Sequence, residues 1–535
     1  ITASQRGNMQ LVHQYLLESG RRYPERRALI SENRELTYSS LIANIHALGD
    51  VCIVEGLKKG DRVLIVLHDK IEFTIAAFAV IRAGGIAVPI TERTSLETVQ
   101  FITKDCSPFA VITSHADLIH YPLLRDKLSC HFLFIDETVQ SKPHSLSVYS
   151  SSDHIESNES ANHIAKLMGL TESDDALILY TANIDGHLRG AVFTHKSLIR
   201  SSLAINSITG INHTLCEFIM LPVSQSMGFG RLRNVLFAGG TAVLFQDQVS
   251  PTEQLIRHML ELSCTGISAP QQFLAAIQEF CDEALVQQIG KQIHLVEFGT
   301  ASITAEEKKN ITETFPGAQI YLHYGLTEVP RSTYMNVQQD RRRNQTVGRP
   351  APYADIVIVD ETGNRLGKGH AGQIVIRGEH GFSGYWHHHN GFSKPELPPS
   401  FNTGDIGFLD KEGYLCVLGR KDEIINMGGL KISPVEVEEK IREIYPDIEI
   451  CVVGLPDPAG IVGEIPVLCC IADNGKKIIS SELSSSLSNR LEKDKIPRIV
   501  YRVDRFPRIN NVIARHELRK QLIEGTLQSI GHGIS

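Results

Sequence analysis

Short apolar runs alternate along most of the chain with stretches whose apolar residues recur at helical spacing. MQLVHQYLLES at 9–19 places them three and four apart, the one-face pattern of a helix. DRVLIVL at 61–67, AVIT at 110–113 and HFLFID at 131–136 are continuous apolar runs of strand length. EFTIAAFAVIRAGG at 72–85 lies between the first two and reads as a helix closed by glycines. Strand, helix, strand in this succession predicts parallel sheets with crossover helices. Residues 137–165, rich in Ser, His and Asn, read as a long surface connection. A second α/β run follows, with strands expected at ALILYT (176–181), AVLF (242–245), GIS (266–268), LVEFG (295–299) and QIYLHYG (319–325).

From 346 to 420 the texture changes. DIVIVD, QIVIRG and YLCVLGR are separated by turns such as DETGNR and DKEGY, which predicts a small β-barrel or distorted sheet. Beyond Arg420 come a Ser-capped helix, SPVEVEEKIREI, two strands, EICVVGL and PVLCCIA, and a polar helical stretch, SELSSSLSNRL. The expected fold class is α/β. Residues 1–421 form a large N-terminal domain, with two α/β lobes (about 1–170 and 171–345) and a small β-lobe (346–421). Residues 422–535 form a smaller, mobile α+β domain.

Composition narrows the function. The chain has 535 residues, 42% hydrophobic and 21% charged, with a net charge of -8. It can bury a sizeable core, and mild acidity argues against nucleic acid as a partner. No run approaches 20 apolar residues, so no membrane span is expected. The first residues, ITASQRGNMQ, lack the plan of a signal peptide. Ten cysteines without CxxC spacing argue against a disulfide scaffold or zinc ribbon, and cytoplasmic localisation is the expectation. His387, His388 and His389 are adjacent and cannot easily converge on one ion. GxSxG is absent, so a hydrolase elbow lacks support; a dinucleotide-binding reductase lacks support too, because the one GxGxxG, GKGHAG at 367–372, lies among short β-rich segments and opens no expected helix. Trp386, the single tryptophan, reads as a packing residue.

Three segments carry candidate chemistry. YTANIDGHLRGAVFTH (180–195) leaves a strand with Gly186, Gly190 and basic Arg189, and such a loop presents backbone N–H groups to phosphate or is simply a turn. YGLTEVP (324–330) offers a ring, a glycine, a hydroxyl and a carboxylate, the means to stack on a base and hold Mg²⁺, or a strand end with a capped turn. In FNTGDIGFLDKEGYLCVLGRKDEIINMGGLKISPVEVE (401–438), Asp405 is placed to accept ribose hydroxyls, with Arg420 close behind.

In this order and spacing, the segments resemble the adenylate-forming superfamily of acyl-CoA synthetases, luciferases and peptide-synthetase adenylation domains. Further matches run from LTYSSLIANIHALG near 36 to HELRK near 516. They include KKGDRVLIVL, AVIRAGGIAVPI, VGRPAPYADIVIVDETGNRL, GYW and VVGLPDP. The resemblance implies a ligase or acyltransferase that takes a carboxylic acid through an acyl-adenylate to a thioester or amide. The acceptor would be CoA, a carrier-protein phosphopantetheine or an amine. Tyr324, with Gly325 beside it, would stack on adenine. Thr327 would contact the α-phosphate, and Glu328, with Thr181, would hold Mg²⁺. Asp405 and Arg420 would hold the ribose. Thr181, Gly186, Arg189 and Gly190 would remain of the phosphate loop. The acyl pocket would run by Gln225, Gly299, Thr300 and Ala301. Gly428, Gly429 and Lys431 would line the acceptor entry, and Asp422 would be the hinge.

The departures from the family pattern fall on one side of the chemistry. The family's phosphate loop reads like YTSGTTGxPKG. Here Ala182, Asn183, Ile184, Asp185 and Leu188 replace a hydroxyl, a glycine, two hydroxyls and the proline. Asp185 would set a carboxylate near a triphosphate, and two like charges 4 Å apart cost about 4 kcal/mol at an effective dielectric of 20. The family's C-terminal PKTxSGKIxR loop carries a lysine used in adenylation. Here FPRINNVIARHELRK places Val512 or Ile513 there, with Arg508 and Arg515 at other positions. Gln225 and Gln373 replace a histidine and a glutamate. AMP or an acyl-adenylate is therefore the expected ligand, and binding of Mg²⁺ and ATP is expected to be weakened. The alternative is a non-adenylating scaffold that binds AMP, an acyl group or a carrier protein.

Overall fold

The structure is a computed structural model. It describes the chain except residues 1–9, 33, 92–93, 120–129, 136–168, 183–187, 246–250, 300–304, 341–342, 344–345, 387–399, 428–429, 447, 459–463, 472–479, 489, 498, 510–511, 526–528 and 533–535. The expected surface connection at 137–165, the three histidines, Gly186, Thr300, Ala301, Gly428 and Gly429 lie outside the described residues.

The chain divides into two compact units: residues 1–356 with 376–401, and residues 357–375 with 402–535. The position proposed as the hinge, Asp422, lies inside the second unit. Ser433 Oγ donates to the Leu418 carbonyl across it.

The first unit holds two large sheets. In one, Gln319–Tyr324, Leu295–Gly299, Gly266–Ser268, Cys216–Ile219, Thr241–Val243 and Arg27–Ile30 run parallel in that spatial order. Antiparallel strands close both edges. In the other, Asp175–Ala182, Ile86–Pro89, Arg62–Val66, Ala110–Thr113 and His131–Phe134 are parallel. Leu188–Thr194 and Gly384–Tyr385 extend that sheet antiparallel. The α/β class predicted by alternation is the class observed.

The helix Lys70–Arg82 shows how the pattern works. Asp69 caps it, accepting from the Ile71 and Glu72 amides, and every residue of KIEFTIAAFAVIR except Glu72 is buried. A helix apolar on all sides must be covered on all sides. Its side chains join one core with strand residues such as Val63, Ile65 and Ala87 and with Phe229 and Leu232.

Most of the sheet Asp355–Val359, Gly372–Arg377, Phe401–Leu409 and Leu415–Arg420 falls in the second unit; it corresponds to the expected small β-lobe, which the compact units group with the C-terminal residues and not with residues 1–345. The second unit also contains the sheet of Ile450–Pro456, Glu464–Ile471, Ile499–Val503 and Ser529–His532. The helix Pro434–Arg442 starts at Ser433, whose Oγ accepts from the Glu436 amide, as the sequence indicated. All ten cysteines are free thiols, and among the described residues no helix is long and apolar enough to cross a membrane.

Candidate functional site

In the first unit, the strand Asp175–Ala182 turns back into Leu188–Thr194, with Thr181 opposite Arg189 and Tyr180 opposite Gly190. The segment 180–190 is therefore a hairpin, and its tip at 183–187 lies outside the described residues. The Gly384–Tyr385 strand lies beside it, and the Arg189 guanidinium sits 5.5 Å from the centre of the Tyr385 ring. Trp386 packs here as expected, its indole N–H donating to the Asp105 carbonyl at 3.2 Å.

Tyr324 ends its strand buried, and YGLTE continues as a tight turn in which Leu326 and Val329 exchange backbone hydrogen bonds. Gly325 is required by close approach: a Cβ there would lie 2.4 Å from the Arg331 amide nitrogen. The turn leaves Thr327 partly exposed and Glu328 buried. Tyr385 Oη donates to Glu328 Oε1 at 2.6 Å, and the Phe382 amide donates to the Glu328 carbonyl. Arg189 and Glu328 thus meet on one tyrosine.

Behind the turn lies a buried ionic network. Arg231 binds Glu217 with two nitrogens, at 2.5 and 2.6 Å, and Glu297 at 2.6 Å. Arg331 Nε donates to Glu297 at 2.8 Å, and its Nη2 donates to the Met227 carbonyl. The two guanidinium groups hold the Glu297 carboxyl at about 2 despite burial that pushes it up. His323 is buried beside them, and burial lowers its pKa to about 3, so it is neutral. The network packs closely against two glycines. A Cβ on Gly299 would come within 2.5 Å of the His323 ring, and one on Gly230 within 2.4 Å of Arg331 Nη1. Gln225, the residue before the helix Ser226–Ala238, is exposed.

In the second unit, Asp405 and Arg420 face each other in the antiparallel register of Phe401–Leu409 and Leu415–Arg420. Arg420 Nη1 lies 3.5 Å from Asp405 Oδ1, and Arg420 Nε lies 3.7 Å from Asp422. Asp405 is buried and Arg420 half-buried, so the pair presents an oriented carboxylate at a hairpin edge. Gln373 accepts from the Asn402 amide at 3.0 Å and donates to the Asp360 carbonyl at 3.4 Å. Lys431 lies in the strand Leu430–Ile432, opposite Asn426. Val512 and Ile513 form the second arm of a small hairpin with Arg508–Ile509. The two arginines nearest in sequence have other partners. Arg508 pairs with Glu449, while Arg515 binds Glu423 at 2.8 Å, Glu438 at 2.7 Å and the Val452 carbonyl at 3.0 Å.

The family profile described as "AMP-binding enzyme" matches residues 16–386. The chain belongs to the AMP-binding enzyme family. This is the adenylate-forming group that the motifs resemble. The 2-succinylbenzoate–CoA ligase of Bacillus velezensis is 28% identical over 521 residues, covering 95% of this chain and 97% of that one. The o-succinylbenzoate CoA synthetase of Bacillus subtilis, solved with its acyl-adenylate intermediate OSB-AMP, has a TM-score of 0.75 at 22% identity, over 94% of this chain and 97% of that one. The amide bond synthetase McbA from Marinactinospora thermotolerans has a TM-score of 0.79 at 19% identity, over 96% of this chain and 99% of that one.

The donor set of this AMP-binding enzyme suits Mg²⁺ only as a companion of phosphate. Among the described residues there is no cluster of three His, Cys, Asp or Glu that could hold a metal by itself. Glu328 supplies one carboxylate, already bonded through Oε1. Such a site fits an ion that keeps phosphate and water oxygens as its other ligands.

Sequence reasoning missed Tyr385, seen only as part of the GYW match, and the whole Glu217–Arg231–Glu297–Arg331 network. The signal for the latter was present: GFGRLRNVLF sets two arginines into an otherwise apolar helix, and a buried charge requires partners.

Proposed function

We infer that this AMP-binding enzyme joins a small carboxylic acid to a thiol or amine through its acyl-adenylate, and that it makes that adenylate from ATP poorly. One contrast carries the reading. The Asp405–Arg420 pair and the YGLTE turn keep donors and acceptors suited to AMP. On the adenylation side, Val512 or Ile513 stands for lysine, and Arg508 and Arg515 are committed to carboxylates.

Tyr324 is assigned to adenine, Thr327 to the α-phosphate, and Asp405 to the ribose with Arg420 as its support. Glu328, with Thr181, would hold Mg²⁺, which would neutralise phosphate charge. Arg189 and Gly190 are assigned to the phosphates. Gly428, Gly429 and Lys431 are assigned to acceptor entry, and Asp422 to a hinge between residues 1–421 and 422–535. A cation that stabilises developing charge is worth several kcal/mol, so its loss lowers adenylation by orders of magnitude. His323 and Arg331 beside Gly299 and Gly230 support a short acyl group rather than a long chain. A CoA ligase and an amide synthetase among the similar proteins support either a thiol or an amine as acceptor.

A second reading is a scaffold that binds AMP, an acyl group or a carrier protein without turnover. It is favoured by the Tyr385 bond that engages Glu328. Calorimetry separates the assigned nucleotide from the family default. AMP, or a non-hydrolysable acyl-adenylate mimic, is expected to bind more tightly than ATP with Mg²⁺. Equal or tighter ATP binding contradicts the reading.

A further inference from the structure

The helix Ser226–Ala238 buries two arginines, and they have different surroundings. Arg231 is satisfied by Glu217 and Glu297. Arg233 is 4% exposed, and its Nε is buried with no hydrogen-bond partner among the described residues. Its guanidinium lies 5.0 Å from the centre of the Phe229 ring. A ring face attracts a cation but does not neutralise it.

Formal charges around it do not cancel. Arg231, Arg233 and Arg331 are positive, Glu217 and Glu297 are negative, and His323 is neutral. Burial and the neighbouring Arg331 lower the Arg233 pKa to about 9, which leaves it protonated at neutral pH. A buried ion without a counter-charge costs several kcal/mol.

The compensating group has a place to sit. Arg233 and Arg331 line a small cavity with the hydroxyl residues Ser197, Ser201 and Ser226 and with His380. Leu177, Leu179 and Phe193 form its apolar walls. His380 is held by Ser332 and the Tyr353 carbonyl, and burial lowers its pKa to about 4, so it brings no charge of its own. The cavity's enclosed space is about that of one water molecule. Among the described residues that line it there is no carboxylate.

We propose that this cavity binds a small monovalent anion, a halide or the carboxylate of a very small acid, with Arg233 as its counter-ion. The site belongs to the first unit alone and is independent of the nucleotide assignment.

The test uses the full chain in a bulky sulfonate buffer too large for the cavity. Chloride or formate then replaces sulfonate at fixed ionic strength while thermal unfolding and calorimetric binding are followed. The expected result is a saturable rise in unfolding temperature with one ion bound per chain. A rise with chloride identifies a dissolved halide as the ligand, and a rise with formate alone identifies a carboxylate. Arg233→Met should abolish the saturable rise. In sulfonate alone it should unfold no lower than the parent, because an uncompensated charge has been removed. Arg233→Lys should keep the rise with a half-saturation shifted at least several-fold upward. Identical unfolding in all three anions overturns the proposal, as does a rise undiminished in Arg233→Met. If Arg233→Met does not fold, Ser226→Leu decides, since it crowds the cavity without touching the charge: loss of the rise supports the site and its persistence overturns it.

Discussion

Tyr385 donates its phenol proton to Glu328 at 2.6 Å while its ring lies beneath Arg189. The bond ties the carboxylate of the YGLTE turn to the strand Gly384–Tyr385. Tyr385→Phe keeps the ring under Arg189 and removes only the donor. It should destabilise the protein by about 1–3 kcal/mol, since a buried acceptor loses its partner. Urea unfolding with an unchanged slope would measure that loss, and an unshifted midpoint would show that the bond contributes little.

The buried network makes a sharper stability prediction. Glu297 is shared by Arg231 and Arg331. Glu297→Gln leaves Arg331 without its carboxylate and Arg231 with Glu217 alone, and should cost about 3–5 kcal/mol, the range for breaking one partner of a buried ion pair. Denaturant titration reads it directly. A change below about 1 kcal/mol would mean that the network is hydrated in solution.

Much of this was legible in the sequence, and the part that was not has a physical cause. Strands such as Arg62–Val66 and Ala110–Thr113 carry unbroken apolar runs, Val63 to Val66 and Ala110 to Ile112, because parallel strands are covered on both faces, so they stood out. The pairing of Asp405 with Arg420 was anticipated as proximity. Its cause, a direct antiparallel register, came from the turn DKEGY. Tyr385 was not legible as a partner of Glu328, because 57 residues separate them and only tertiary folding brings them together. The ionic network escaped for the same reason: Glu217, Glu297 and Arg331 come from three separate elements, and each alone reads as an ordinary surface charge.

Acid should unfold the protein through histidines buried as neutral rings. Burial lowers His46 and His380 to about 4 and His323 to about 3, against about 6.5 in an unfolded chain. Folded values are depressed, so the unfolded state takes up protons first as pH falls. Stability is fully present above about pH 6.5 and is lost as pH falls toward 4 and then 3. Burial lowers His13 as well, so unfolding free energy should be flat from pH 7 to 8 and fall from 6.5 to 4 with a slope approaching four protons per chain. A flat profile down to pH 4 would show these rings to be accessible.

Asp405→Ala should weaken AMP binding by about 1.5–3 kcal/mol, because the ribose hydroxyls lose a charged acceptor. It also leaves Arg420 with Asp422 as its remaining carboxylate neighbour among the described residues, at 3.7 Å. Calorimetry with AMP checks the loss. Unchanged affinity would remove Asp405 from the nucleotide site.

We propose that the adenylate-binding half of the chemistry is kept while the adenylate-forming half is weakened. The most direct measurement sets ATP–pyrophosphate exchange beside single-turnover transfer from a supplied acyl-adenylate, over a panel of short acids with thiol and amine acceptors. Measurable transfer is expected, with exchange slower by orders of magnitude. Lysine at 512 or 513 should restore little alone, but more than additively with a Ser/Thr-rich loop at 182–185. Brisk exchange by the natural chain with any acid would contradict the proposal, because a cation other than the missing lysine would then be doing that work.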